Sequence, residues 1–359
     1  MNALSRLARL ELAPPRYLSL PTAGIDVSAS GVKLAVLAEK LHGIELVAYG
    51  EARLEPGAVT AGEMTNRPAV VEAVRSLAKK HRVKFANIAL SESRSYLFEA
   101  QVPEDPAAWR VAVEQRLDEY VPLPPAEVAF DVVSAGFPGD TTQAVGVGYA
   151  RRVIEESLLA FDEAGVEVRA VESEMFSMPR SILPAGDQET VLMIDIGRTT
   201  TKLAIVSRRV PRFATTLDVG GHALTLAVQK HFGVTEEEAK RVKAEHGLVG
   251  ATAGDGYLES MLSTVSVIRE EILRRLDYWQ SRAAQGTLRE PVTRAVLVGG
   301  NATVRGLPEF LETSLRVPVE LGDVFANLAP RDHWLPPLDY LESLAYATAI
   351  GLALRDYDV

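Results

Sequence analysis

Two residue pairs carry the first chemical signal. Asp26 and Lys33 lie in GIDVSASGVKLAVL, residues 24–37, and Asp195 and Lys202 lie in MIDIGRTTTKLAIV, residues 193–206, with the same Asp-to-Lys spacing in both. Each stretch runs from an apolar strand into an Asp, a short polar turn, Lys-Leu-Ala and a second apolar strand. A turn rich in glycine and hydroxyls wraps a phosphate well, because successive amides and hydroxyls point at one anion while Gly permits close approach. Gly197, Thr199, Thr200 and Thr201 meet that demand in the second copy. An Asp at each strand end is placed to hold water around a phosphate-bound Mg²⁺, a hard cation that keeps several waters. Asp26 and Asp195 are therefore expected to face each other across a cleft. One hairpin alone reads as an Asp that starts a turn; duplication at corresponding places favours a ligand.

A third site follows in chain order. The apolar run Val296-Leu297-Val298 ends in Gly299-Gly300-Asn301, and glycine at a strand end lets a flat ring or ribose lie against the backbone. Gly-Gly after a strand is by itself most often a turn, so the order of the three sites carries the argument. Hydrolysis would need a group that orients or deprotonates water. Beside Asp195, the candidates by order are Glu172 and Glu174, which also read as helix-start carboxylates favoured by the helix dipole.

The elements that must position these residues form two similar series. Strands near Asp26, over 32–37 and over 44–49 make an antiparallel meander, followed by a helix with Val70, Val74, Leu77 and Ala78 on its apolar face and a strand over 88–90. The second half repeats the plan: strands over 191–196, 201–207 and 212–217, a helix opened by Gly220-Gly221, a Thr235/Glu238 capping box, a long amphipathic helix from Leu258, and a strand over 295–298. Between the halves, Trp109, Val113, Leu117 and Tyr120 line one side of a charged helix that Pro122, Pro124 and Pro125 stop. Strands over 128–133 and 144–148 and a helix bearing Ile154, Leu158 and Phe161 complete a small α+β unit there. Val166–Val171 is a strand, Glu172–Ser181 a linking helix, and Tyr340–Arg355 a final apolar helix. The expected division is a tail over 1–21; a first lobe over 22–90, 166–188 and 339–359; an inserted unit over 91–165; and a second lobe over 189–338 with a helical part at about 221–290.

A length of 359 residues exceeds one ordinary core, and 47% apolar residues suffice to fill two. The formal charge of -10 argues against a nucleic-acid partner, the run Lys79, Lys80, Arg82, Lys84 reading as a solvated helix end. The absence of cysteine excludes disulfides and thiolate chemistry, and the six histidines show no metal-ligand spacing. No apolar run approaches the roughly 20 residues that cross a bilayer, so a cytoplasmic protein is expected. Leu4, Leu7 and Leu10 beside Arg6 and Arg9 allow either a flexible tail or a short amphipathic helix before Pro14 and Pro15.

In order, the three sites resemble the phosphate-1, phosphate-2 and adenosine motifs of the actin-like ATPase superfamily, and within it the chain is similar to the PilM family of type IV pilus assembly proteins, related to FtsA. Three passages carry the closer likeness: Glu119-Tyr120-Val121-Pro122-Leu123-Pro124 followed by Glu127-Val128, residues 165–176, and Ala349-Ile350-Gly351-Leu352-Ala353-Leu354-Arg355. The resemblance implies an α/β actin-like fold, two ribonuclease-H-like lobes with ATP and Mg²⁺ between them and a small subdomain inserted in the first. It also implies a partner, the cytoplasmic N-terminus of an inner-membrane PilN-like protein, through which contact with the membrane would be indirect; self-association stands as a further property to test. By resemblance Lys243 falls near the adenine, while a solvated helix lysine reads the same way. Where the family's first loop reads Asp-Ile-Gly-Ser, this chain has Asp26-Val27-Ser28-Ala29, losing a glycine that Ser28, Ser30 and Gly31 would have to replace. Arg198 either pairs with a phosphate or points to solvent. Three other functions fit parts of the pattern: a sugar-kinase phosphotransferase, a GspL-like secretion component and an FtsA-like filament former.

Overall fold

The structure, a computed structural model, describes residues 22–136, 142–249, 256–284 and 289–357; the tail expected over 1–21 lies outside them. The meander forms as expected: β1 (Ala23–Ser28), β2 (Gly31–Lys40) and β3 (Gly43–Arg53) pair antiparallel. The chain then crosses over through α1 (Arg67–His81) to β4 (Phe85–Leu90), which lies parallel to β1. Parallel pairing demands such a crossover, and α1 supplies it by burying Val70, Val71, Val74 and Leu77 on the sheet. After the inserted unit, β8 (Glu167–Ser173) adds parallel to β4, giving the order β3-β2-β1-β4-β8.

The second half builds the same sheet. β9 (Thr190–Ile196), β10 (Thr201–Ser207) and β11 (Val210–Leu217) form its meander, and β12 (Arg294–Val298) and β13 (Val319–Leu321) run parallel to β9 in the order β11-β10-β9-β12-β13. The inserted unit is a three-stranded antiparallel sheet, β5 (Ser95–Gln101), β6 (Val128–Ser134) and β7 (Gln143–Ala150), in the order β5-β7-β6. Its β5 was not read from the sequence. The charged helix is two pieces, α2 (Trp109–Glu114) and α3 (Leu117–Tyr120), whose Trp109, Val113 and Leu117 close a small core with Phe98, Val102 and Val128.

The helix α4 (Arg151–Ala164) packs differently from expectation. It buries Val153, Ala160, Phe161 and Ala164, leaves Leu158 exposed, and places Phe161 in the first-lobe core against α1 and β8 rather than on the three-stranded sheet. Gly165 ends it in the left-handed conformation at φ 79°. The linking helix α5 spans Glu174–Ile182, so Glu172 belongs to β8. In the second half α6 (Gly221–Phe232) and α7 (Glu236–His246, with both bonds of the Thr235/Glu238 capping box) precede α8 (Tyr257–Ala284), which buries Met261, Val265, Ile268, Ile272, Leu276 and Trp279; α9 (Leu307–Leu315) joins β12 to β13.

The expected final helix is broken into α10 (Tyr340–Ser343), a 3₁₀ turn over Leu344–Tyr346 and α11 (Ala347–Ala353). At the break, the Leu344 carbonyl accepts from the Gly299 amide at 3.0 Å. α11 is wholly buried and packs on α5, β1 and β2. A Cβ on Gly351 would stand 1.9 Å from the Ser177 carbonyl of α5, and one on Gly24 1.9 Å from the Ala349 carbonyl of α11. Glycine is what lets these backbones touch at the junction of the two sheets. Among the described residues no helix is long and apolar enough to cross a membrane.

Candidate nucleotide cleft

The seven-residue spacing becomes geometry at the hairpins. In β1–β2, Asp26 is the direct register partner of Lys33, and in β9–β10 Asp195 is that of Lys202. Directly opposed residues on an antiparallel pair share a face of the sheet, so each hairpin presents an acid beside a base. The tips differ. β1–β2 closes with Ser28 opposite Gly31, whereas β9–β10 closes with Ile196 opposite Thr201 and leaves a longer loop, Gly197 to Thr200, pinned by the Gly197 amide on the Thr200 carbonyl at 2.9 Å. In the first tip serine hydroxyls occupy the place of the lost glycine: Ser28 Oγ lies 3.0 Å from Ser30 Oγ, and Lys33 Nζ donates to Ser30 Oγ at 3.2 Å.

Both hairpins open on one cleft of about 430 Å³. Asp26, Ser28, Ser30 and Lys33 line it from the first lobe; Asp195, Gly197, Thr199, Thr200 and Lys202 line it from the second. Gly299, Gly300 and Asn301 complete the second wall. Gly299 has φ +91°, and a Cβ there would lie 2.2 Å from Asp195 Oδ1, so glycine is required for the β12 end to pass behind that carboxylate. Asn301 ties the β12 end to the β9–β10 turn within the second wall by donating Nδ2 to the Gly197 carbonyl at 2.9 Å.

An adjoining cavity of about 320 Å³ shares Ser30, Arg198 and Asn301 with the cleft and contains Lys243. Lys243 Nζ donates to Asn301 Oδ1 at 2.9 Å and to the Gly221 carbonyl at 3.1 Å, so it is a part of this wall rather than a solvated helix lysine. Burial, helped by Lys240, pushes its ammonium down to about 8. Arg198 stands at the rim, 4.0 Å from Glu236.

Two predicted residues lie elsewhere. Thr201 is fully buried and donates to the Val219 carbonyl at 2.7 Å, tying β10 to the entry of α6. Glu172 sits outside the cleft, its carboxylate 2.7 Å from both Arg180 and Arg355. Glu172 lies within β8, whereas Glu174 opens α5, where the chain leaves the strand. Glu174 does reach the cleft. Its Oε2 accepts from Lys202 at 2.5 Å and its Oε1 from the Glu92 amide at 2.6 Å.

Charge is concentrated here. Burial raises Asp26 to about 6 against the pull of Lys202 and Lys33, and burial likewise raises Asp195. Burial opposes a charge on Lys202, yet Glu174, Asp195 and Asp26 outweigh it and hold the ammonium well above its ordinary value. Sequence reasoning missed Ser91, Ser93, Thr216 and Asp218, which also line the cleft. Ser91 and Ser93 follow β4 at the sheet end where ligands of open α/β sheets bind, which is the signal that would have found them.

The hard-oxygen donor set fits a hydrated Mg²⁺. Among the described residues no three His, Asp or Glu converge as a direct metal cage, whereas two carboxylates from opposite walls suit an ion held through water and phosphate oxygens.

Comparisons with known proteins agree with this architecture. A match to the cell shape-determining protein MreB of Pasteurella multocida is 26% identical over 204 residues, 48% of this chain and 57% of MreB, so the chain spans little over half of that curated relative. Among solved structures, the PilM-PilN type IV pilus biogenesis complex superposes with a TM-score of 0.78 at 22% identity, covering 96% of this chain and 100% of the other. MreB5 of Spiroplasma citri bound to AMPPNP superposes with a TM-score of 0.55 at 13% identity over 88% of this chain and 94% of the other. The fold is that of the actin-like ATPases. The family model of the type IV pilus assembly protein PilM matches residues 24–357, and the chain accordingly belongs to the PilM family of type IV pilus assembly proteins.

Proposed function

We propose that the cleft binds ATP with Mg²⁺ and that the protein is an ATP-responsive scaffold of type IV pilus assembly. The observation that carries this reading is the pairing of two Asp–Lys hairpins across one cleft, backed by the glycines at the end of β12. The Gly197–Thr200 turn, Lys202 and Lys33 would receive the phosphates, and Asp26 and Asp195 would hold Mg²⁺ through water. Gly299 and Gly300 offer a flat backbone to the adenosine, and Lys243 with Asn301 closes its far side. Magnesium, when bound, supplies positive charge that neutralises the phosphates.

Holding ATP is better supported than fast hydrolysis. Both oxygens of Glu174 are already engaged, by Lys202 and by the Glu92 amide, and Glu172 is tied to two arginines; neither is free to take a proton from water. A scaffold needs only that ATP bind one lobe arrangement better than another, which shifts the population toward it. The similar complex pairs PilM with PilN, so the partner proposed here is the cytoplasmic N-terminal tail of a PilN-like inner-membrane protein.

Isothermal titration of ATP with Mg²⁺ against the wild type and Asp195→Ala tests the site, and capture on an immobilised PilN-like tail peptide with and without ATP tests the scaffold. Loss of ATP binding in Asp195→Ala and nucleotide-sensitive capture are expected. Unchanged ATP affinity in the variant defeats the site assignment; no capture in either state, with phosphorylation of a sugar, would replace the scaffold by a kinase.

A further inference from the structure

The turn Ser91–Arg94 is the whole connection between β4 of the first lobe and β5 of the inserted unit. At its centre, Glu92 is only 7% exposed and is held from two sides. Its amide donates to Glu174 Oε1 at 2.6 Å, and its own carboxylate accepts from the Thr216 hydroxyl of β11 in the opposite lobe. Glu174, 3% exposed, uses its other oxygen for Lys202 at 2.5 Å. One unbroken series of charge-assisted bonds thus runs from the base of the second hairpin to the joint of the inserted unit.

We propose that Glu174 and Glu92 form a latch that reports phosphate occupancy at Lys202 to this joint. The inference rests on the cleft being a nucleotide site. A phosphate drawn to Lys202 competes with Glu174 for the same ammonium. Glu174 would then stand buried beside Asp26 and Asp195 without its counter-ion, an arrangement that a carboxylate relieves by turning away. As it turns, the Glu92 amide exchanges its charge-assisted bond for one of neutral strength at best, a difference worth at least about tenfold in local opening. The inserted unit is loosened at its entry while Arg212 and Arg289 of the second lobe still hold Glu99 of β5. The coupling is reciprocal: whatever fixes the joint disfavours the nucleotide.

Hydrogen exchange by mass spectrometry on the full chain reads this out. With saturating AMPPNP and Mg²⁺, the amides around Glu92 should exchange about tenfold faster while the Gly197–Thr200 turn becomes protected. Lys202→Met should give the same acceleration with no nucleotide. Glu174→Gln, whose neutral amide oxygen accepts from Glu92 regardless of Lys202, should respond to AMPPNP by less than twofold. If the turn is protected and the Glu92 segment does not change, the latch is refuted and the nucleotide site stands. If the turn is not protected, the nucleotide reading fails, and Lys202→Met decides the latch alone, a wild-type exchange rate overturning it. Should Lys202→Met not fold, Thr216→Val takes its place: it frees the Glu92 carboxylate, and an unaltered exchange rate there counts against the latch.

Discussion

Replacing Gly299 by Ala tests how closely the β12 end is pressed against the phosphate-site acid. At φ +91° a Cβ would stand 2.2 Å from Asp195 Oδ1, 2.7 Å from the Ile196 carbonyl oxygen and 2.9 Å from its carbon. The first distance is about 1 Å short of ordinary contact, and two of the three obstacles are backbone of β9, which the sheet holds. The left-handed conformation costs a non-glycine residue about 1–2 kcal/mol, and overpacking at a buried site adds about 1–3 kcal/mol. A destabilisation of about 2–5 kcal/mol is expected. The Asp195 carboxylate is the only one of the three that can yield by rotation, and it must leave the cleft floor to do so. Thermal unfolding by circular dichroism should therefore show a melting temperature lower by about 3–7 °C, and ATP affinity measured with Mg²⁺ should fall at least about tenfold. Gly165→Ala is the matched control, because Gly165 has φ +79° with nothing within 4 Å of its Cβ position; it carries only the conformational term, about 1–2 kcal/mol. A Gly299→Ala protein that melts like the control and binds ATP like the wild type would refute the claimed contact.

Two further outcomes follow from the charge and packing. Asp26, held at about 6 by burial, binds a proton in the folded state over a pH range where the unfolded chain has lost it; between about pH 4 and pH 6 stability therefore falls as pH rises, by at most about 3 kcal/mol since the cleft admits water. Urea unfolding at pH 4.5 and pH 7 should show this loss in the wild type and a smaller one in Asp26→Asn; equal slopes in the two proteins would contradict it. Gly351→Ala would put a Cβ 1.9 Å from the Ser177 carbonyl, so it must force α5 and α11 apart and should cost at least about 1–3 kcal/mol in urea unfolding, with an unchanged midpoint showing that the helices do not meet there.

Much of this fold was legible because one pattern occurs twice. The Asp-to-Lys spacing fixes the register of both hairpins, and the elements that follow each hairpin place β4 and β12 beside their central strands. The failures have local causes. The apolar set Ile154, Leu158, Phe161 marks one face of α4, but its buried face consists largely of small residues, Ala160 and Ala164, which let α4 approach α1 and contribute little hydrophobic signal. Glu172 belongs to β8 and not to the helix expected from residue 172, and there its carboxylate meets Arg180 and Arg355 instead of the cleft. The break before α11 coincides with a hydrogen bond from Gly299, a residue more than forty positions away, which no local propensity encodes. Lys202 and Glu174 were each visible, but their contact needs both lobes in place.

The position of α11 orders the events of synthesis. This helix fills the space against β1, β2 and α5, yet its residues are made after every strand of both sheets. A nascent chain can finish the second sheet, β9 through β13, while the first still lacks its cover. Until residues 347–353 leave the ribosome, the faces of β1 and α5 that will meet them stay open, and a chain stopped short of that point would display apolar surface with no partner. α11 is thus made only after all the strands that it covers.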